Sequence, residues 1–126
     1  MVKMTDIIKL LKEHGYTLED VSRAFEEKIK ELEKKKYAEE RLPSGEIVKR
    51  PVGKFVTLKQ SNYPVKMFVL QEILRREPEI RIGYYIVSEK KLREGKLSLQ
   101  WGEKNPNIPK KDFKLLIKKA EEKGII

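Results

Sequence analysis

Apolar side chains recur every three or four residues in the first third of the chain and every second residue in much of the remainder. Met4, Ile7, Ile8 and Leu11 form a helical stripe that predicts a helix over 5–14, with Gly15 after His14 placed for a left-handed C-terminal cap. Thr17 then stands as an N-cap with Asp20 three residues on, a variant of the capping box, and Tyr16 can staple onto Val21. The helix begun there is expected to run from Leu18 to about Glu39 along a narrow seam of Leu18, Val21, Phe25, Ile29 and Leu32. Glu26–Lys30 and Glu31–Lys35 support it at i, i+4. A thin seam on a charged helix suits pairing with one other helix. The partner is either the first helix folded back or the same helix of a second subunit, in which case Phe25, Ile29 and Leu32 form the dimerisation surface.

From Tyr37 onward turn residues and period two take over. Pro43-Ser44-Gly45 separates Arg41-Leu42 from Ile47-Val48 as in a hairpin, and Phe55 to Leu58 reads as another strand. Ser61-Asn62-Tyr63-Pro64 signals a helix start. The wide apolar face of Val65, Phe68, Val69, Leu70, Ile73 and Leu74 predicts a central core helix over 65–76, stopped by Pro78. Alternation over 79–88 sets Ile80, Ile82, Tyr84 and Ile86 against Arg81, Gly83, Tyr85 and Val87, the mark of a strand. A turn at Arg93-Glu94-Gly95 leads to Leu97, Leu99 and Trp101 in a second hairpin. After a loop at Asn105 to Pro109, a last helix is expected to bury Phe113, Leu116, Ile117 and Ala120 and to end at Gly124.

The predicted order is α-α-β-β-β-α-β-β-α. It describes an α+β protein: an N-terminal helical hairpin followed by a small, mainly antiparallel sheet packed with two helices. Residues 1–42 form a helical arm and 43–126 an α+β body, together one domain, as a length of 126 residues suggests.

Charge adds a direction to this picture. The net charge is +9, yet residues 1–42 are balanced with ten Lys/Arg and ten Asp/Glu, while 43–126 hold nineteen against ten. A surplus confined to one region favours an anionic partner. Abundant Lys and Glu, with no Cys, three Gln and three Asn, also fit a thermophile composition. That bias adds both signs together and does not by itself create a one-sided surplus. Without cysteine there are no disulfides or thiolate sites. No apolar run approaches a membrane span and no signal-peptide core precedes the first helix, so a soluble cytoplasmic protein without membrane contact is expected.

Sites for chemistry are scarce. The single histidine, His14, sits at a helix C-terminus, and the seven glycines are too scattered for a phosphate-cradling loop. Ile82-Gly83-Tyr84-Tyr85-Ile86 resembles half of the GIY-YIG nuclease signature, but Leu99-Gln100-Trp101-Gly102 stands where the other half belongs. A metal-dependent nuclease would have to draw on Glu46 with Lys49, or on Glu72 and Glu79 with Arg81; this is the third-ranked reading. No catalytic residue, metal site or cofactor is expected.

Basic residues offer more. Lys110, Lys111, Lys114 and Lys118 share a face of the last helix, Lys49, Arg50 and Lys54 lie in the first hairpin region, and Arg75-Arg76 ends the predicted core helix. Arg81, Tyr85 and Lys96 fall on the polar side of the last hairpin, where a tyrosine flanked by cations can stack a base. The opening helix-turn-helix is too acidic to enter a groove lined by phosphates. The sequence therefore reads as a small, basic, non-enzymatic nucleic-acid-binding protein, for DNA or RNA, dimeric through its N-terminal helices. The rival reading is a thermophile assembly subunit with an acidic protein partner.

Overall fold

The computed structural model describes residues 4–102 and 106–126. The side chain of Met4 and the loop residue Asn105, both named above, lie outside what is described.

Local signals set the first two helices. α1 (Met4–Glu13) ends at Gly15, whose φ of 77° is the left-handed cap. α2 (Leu18–Lys34) opens with a complete capping box: Asp20 N donates to the Thr17 hydroxyl, and Thr17 N donates to Asp20 Oδ2 at 2.8 Å. The helix stops five residues short of the expected end. Lys35 is extended at ψ 133°, and residues 37–41 form a strand instead. Past Leu32 the helix has no apolar seam left to bury, whereas the turn at 43–45 folds these residues back as a hairpin partner.

Five antiparallel strands form one curled sheet in sequence order: β1 (Tyr37–Arg41), β2 (Ile47–Lys59), β3 (Lys66–Ile73), β4 (Glu79–Val87) and β5 (Leu99–Gly102). A short helix, α3 (Glu89–Arg93), lies in the β4–β5 connection, and α4 (Lys110–Glu122) follows the sheet. The α+β class is as expected, but the observed order is α-α-β-β-β-β-α-β-α. Two predicted strands merge into β2, which runs on through Pro51 and Gly53 with a register irregularity between Val52 and Phe55.

The largest correction concerns 65–76, expected as a helix: its residues Lys66–Ile73 form strand β3. Its register with β4 is continuous from Lys66–Ile86 to Ile73–Glu79. Met67 and Val69 join a core with Ile7, Leu11, Val21, Phe25 and Leu92 from α1, α2 and α3. Phe68 and Leu70 join a second core with Leu116 and Ala120 of α4. A strand covered on both faces needs apolar side chains at every position, so the alternation that marks a strand disappears.

α2 presses its seam onto this sheet. Phe25 and Leu32 are buried and Ile29 is half-buried within the chain. These three residues, expected to form a dimerisation surface, turn toward the sheet of their own chain, and Ile29 stays half-buried beside it.

α4 also sits differently on its seam. Leu116 and Ala120 are buried, Ile117 is half-buried and Phe113 is 44% exposed. The position beside Phe113 is the buried one: Asp112 accepts a hydrogen bond from Ser61 N at 3.0 Å and ties the helix to the β2–β3 turn. Among the described residues no helix is long and apolar enough to cross a membrane.

Candidate nucleic-acid interface

Alternation decides which side chains share the α2 face of the sheet. Gln71 and Ile73 of β3 follow Met67 and Val69 onto it, and the register brings Arg81 opposite Gln71 and Glu79 opposite Ile73. Val52 pairs with Ile73, so Arg50 shares this face as well, as do Ala38 opposite Arg50 and then Glu40. α2 ends before it reaches these positions, leaving a polar continuation of the covered sheet.

Arg81 is its centre. Arg81 Nη2 donates to Gln71 Oε1 at 3.1 Å, and its guanidinium lies 4.9 Å from the ring centroid of Trp101. Trp101 packs at 5.0 Å and 59° on Tyr85, and Lys28 Nζ lies 5.2 Å from the Tyr85 ring centroid. Gly83 makes the arrangement possible, because a Cβ there would run into the indole. Burial pushes the Tyr85 hydroxyl above the ordinary tyrosine range, partly offset by the charges of Lys28 and Arg81.

Two hollows flank Arg81. One, of about 400 Å³, lies between the end of α2 and the sheet, with Lys35, Lys36, Lys49, Tyr85 and Trp101 among its walls. The other, of about 250 Å³, is lined by Glu40, Arg50, Arg75 and Glu79 among others. Arg50 Nε meets Glu40 Oε2 at 2.8 Å, Arg75 reaches the same oxygen at 3.5 Å, and Arg75 Nε meets Glu79 Oε1 at 2.8 Å. The Arg50 hydrogen bond, then the nearby charges of Arg50, Arg75 and Arg81, hold the Glu40 carboxyl below the usual range, against a smaller desolvation effect. Among the described residues six cations and three carboxylates line the two hollows together, a positive balance. A guanidinium braced by an amide and an indole is pre-oriented to donate to phosphate or carboxylate oxygens.

Of the residues singled out in the sequence, Lys49, Arg50, Arg81 and Tyr85 come together here. The sheet separates them from Lys110, Lys111, Lys114 and Lys118, which are all exposed on α4 at the opposite face. Lys54 lies on β2 and donates to Lys123 O at 3.3 Å. Lys96 is in the α3–β5 connection, next to Gly95, whose carbonyl accepts from the Tyr16 hydroxyl. Tyr85, expected to stack a base, has its ring engaged by Trp101 and Lys28. Sequence reading passed over Lys35, Lys36 and Gln71. The visible trace was Gln71 itself, a polar residue closing the run Met67-Phe68-Val69-Leu70.

Glu72 and Glu79, considered for metal chemistry, do not converge. Glu72 pairs with Ile80 and Glu79 with Ile73, which puts the two carboxylates on opposite faces. Among the described residues no group of three or more His, Asp or Glu is placed to hold a metal ion. No protein-family model, curated protein or solved structure matches the chain.

Proposed function

We propose that this chain is a small nucleic-acid-binding protein that holds phosphates at the open end of its α2 face. Lys35, Lys36 and Lys49 supply charge at the rim, and Arg81 supplies an oriented donor. The observation that carries this reading is the bracing of Arg81 by Gln71 and Trp101 inside a hollow whose other charged side chains are mainly cationic. Phosphate contacts account for most affinity in sequence-independent binding and leave a measurable signature in salt.

The test is fluorescence anisotropy with labelled single- and double-stranded DNA and RNA across a salt series. Binding at low salt is expected, with log affinity falling against log salt by about 0.9 per phosphate contact on duplex or about 0.7 on single strands. Lys35→Glu/Lys36→Glu/Lys49→Glu flattens that slope, while Lys110→Glu/Lys114→Glu/Lys118→Glu on α4 leaves it nearly unchanged. The opposite ranking moves the site to α4. No binding at low salt overturns the reading.

A further inference from the structure

Among the described residues β2 has a strand neighbour on only one side over its second half. β1 pairs with residues 47–51, and Val52 N donates to Lys36 O; residues 55–59 pair with β3 alone. Gln60 N donates to Lys66 O, which identifies a hydrogen-bonded pair. Counting back along the antiparallel ladder, Leu58–Phe68 and Val56–Leu70 are the next hydrogen-bonded pairs. The N–H and C=O groups of Phe55, Thr57 and Lys59 therefore point away from β3, toward the open edge.

Acceptors and donors are treated differently on that edge. Lys123 Nζ donates to Phe55 O at 2.8 Å, and Lys119 Nζ donates to Thr57 O. Among the described residues no protein acceptor meets the N–H of Phe55, Thr57 or Lys59. Exposed edges are commonly guarded by lysine, but here the lysines meet the carbonyls and no described acceptor meets the donors, although the Phe55 side chain is itself buried. The edge runs through a hollow of about 400 Å³, with Ile29 and Glu33 of α2 on one side and Lys119, Glu122 and Lys123 from the α4 end on the other. Lys54 and Lys59 add two further cations on the strand itself.

We propose that residues 55–59 of β2 dock an extended acidic segment of another polypeptide by strand addition. The incoming backbone accepts from the outward N–H groups and donates to the carbonyls of Phe55 and Thr57. Its carboxylates take the ammonium groups of Lys119 and Lys123, which must leave those carbonyls as the strand enters. Charge selects the partner: four lysines and two glutamates border this edge, so an acidic strand is favoured over a basic one. This edge lies apart from the hollows around Arg81, and the proposal does not depend on nucleic-acid binding.

The experiment titrates the ¹⁵N-labelled protein with a capped heptapeptide of alternating Glu and Val, and with its Lys counterpart. The acidic peptide is expected to shift the Phe55, Thr57 and Lys59 amide signals and to slow their hydrogen exchange, and the basic peptide is not. Lys119→Glu/Lys123→Glu weakens the acidic peptide by about tenfold and admits the basic one. Thr57→Pro removes one outward donor while sparing the ladder to β3, and is expected to abolish most binding; the surface lysine pair keeps the test intact if this variant does not fold. Unchanged amide exchange at saturating acidic peptide, or shifts confined to lysine side chains, overturns strand addition.

Discussion

The indole of Trp101 occupies the volume in which a side chain at residue 83 would stand. Gly83 lies on β4 and Trp101 on β5, and their contact lets the indole lie beside Arg81 on one side of the site and Tyr85 on the other. Replacing an interior strand glycine by alanine ordinarily favours the strand. Here Gly83→Ala is expected to cost about 1–3 kcal/mol, because a rigid ring must move to admit the methyl group. Trp101 is the single tryptophan, so its emission reports the displacement directly. A variant as stable as the parent with an unchanged spectrum would contradict this packing.

Gln71 orients charge without carrying any. Gln71→Met removes the acceptor of the Arg81 hydrogen bond and leaves the number of cations unchanged. Affinity for a labelled oligonucleotide is expected to fall by about fivefold, the equivalent of one hydrogen bond worth about 1 kcal/mol, with the salt slope retained. Lys49→Ala, by contrast, lowers the slope. Parallel salt series on the two variants separate orientation from charge.

Asp112 is a buried carboxylate whose oxygen satisfies the Ser61 N–H. Asp112→Ala leaves that donor unmatched, and a loss of about 1–3 kcal/mol is expected in urea unfolding. Asp112→Asn keeps an acceptor oxygen and is expected to lose less. Equal stability of parent and alanine variant would show that α4 does not depend on this tie.

Two large apolar residues of α4, Leu116 and Phe113, separate cleanly by burial. Leu116→Ala is expected to cost about 2–5 kcal/mol through the cavity it opens between α4 and the sheet. Phe113, at 44% exposure, should change stability by no more than about 0.5 kcal/mol when truncated. Similar losses from the two variants would mean that α4 is rotated from the described orientation.

Acid exposes the α2 cap. The Thr17 backbone N–H foremost, and the Thr17 hydroxyl and Arg23 after it, hold the Asp20 carboxyl below its ordinary value of 3.8, against desolvation. A carboxyl depressed in the folded state binds protons more readily when unfolded, so its stabilisation is complete above the ordinary value. That contribution fades as pH falls through the lower, folded value. Asp20→Asn is therefore expected to be less stable than the parent near neutrality, with the gap closing in acid. Urea midpoints measured down the acid limb check it, and a gap independent of pH would argue against this role.

Much of the fold was legible because its causes are local. Thr17 and Asp20 mark the start of α2 within four residues of sequence, and Gly15 marks the end of α1. The alternation of Ile80 to Val87 identifies β4 without reference to anything outside it. The candidate site was legible only in part. Lys49, Arg50, Arg81 and Tyr85 stood out as basic or aromatic residues in predicted strands, whereas Lys35 and Lys36 were read into a helix that in fact ends at Lys34.

By itself the sequence determined the α+β class, the helical start, the antiparallel hairpins and a positive charge confined to residues after 42. Each depends on spacing, caps and turns within a few residues. Only tertiary structure decided that Lys66–Ile73 is a strand, because a segment covered by α1–α3 on one face and α4 on the other shows the apolar density of a buried helix. It also decided which cations act together. Neighbouring residues of a strand point to opposite faces, so the sheet gathers Arg81 with Gln71 and Arg50 while setting the α4 lysines on its far side.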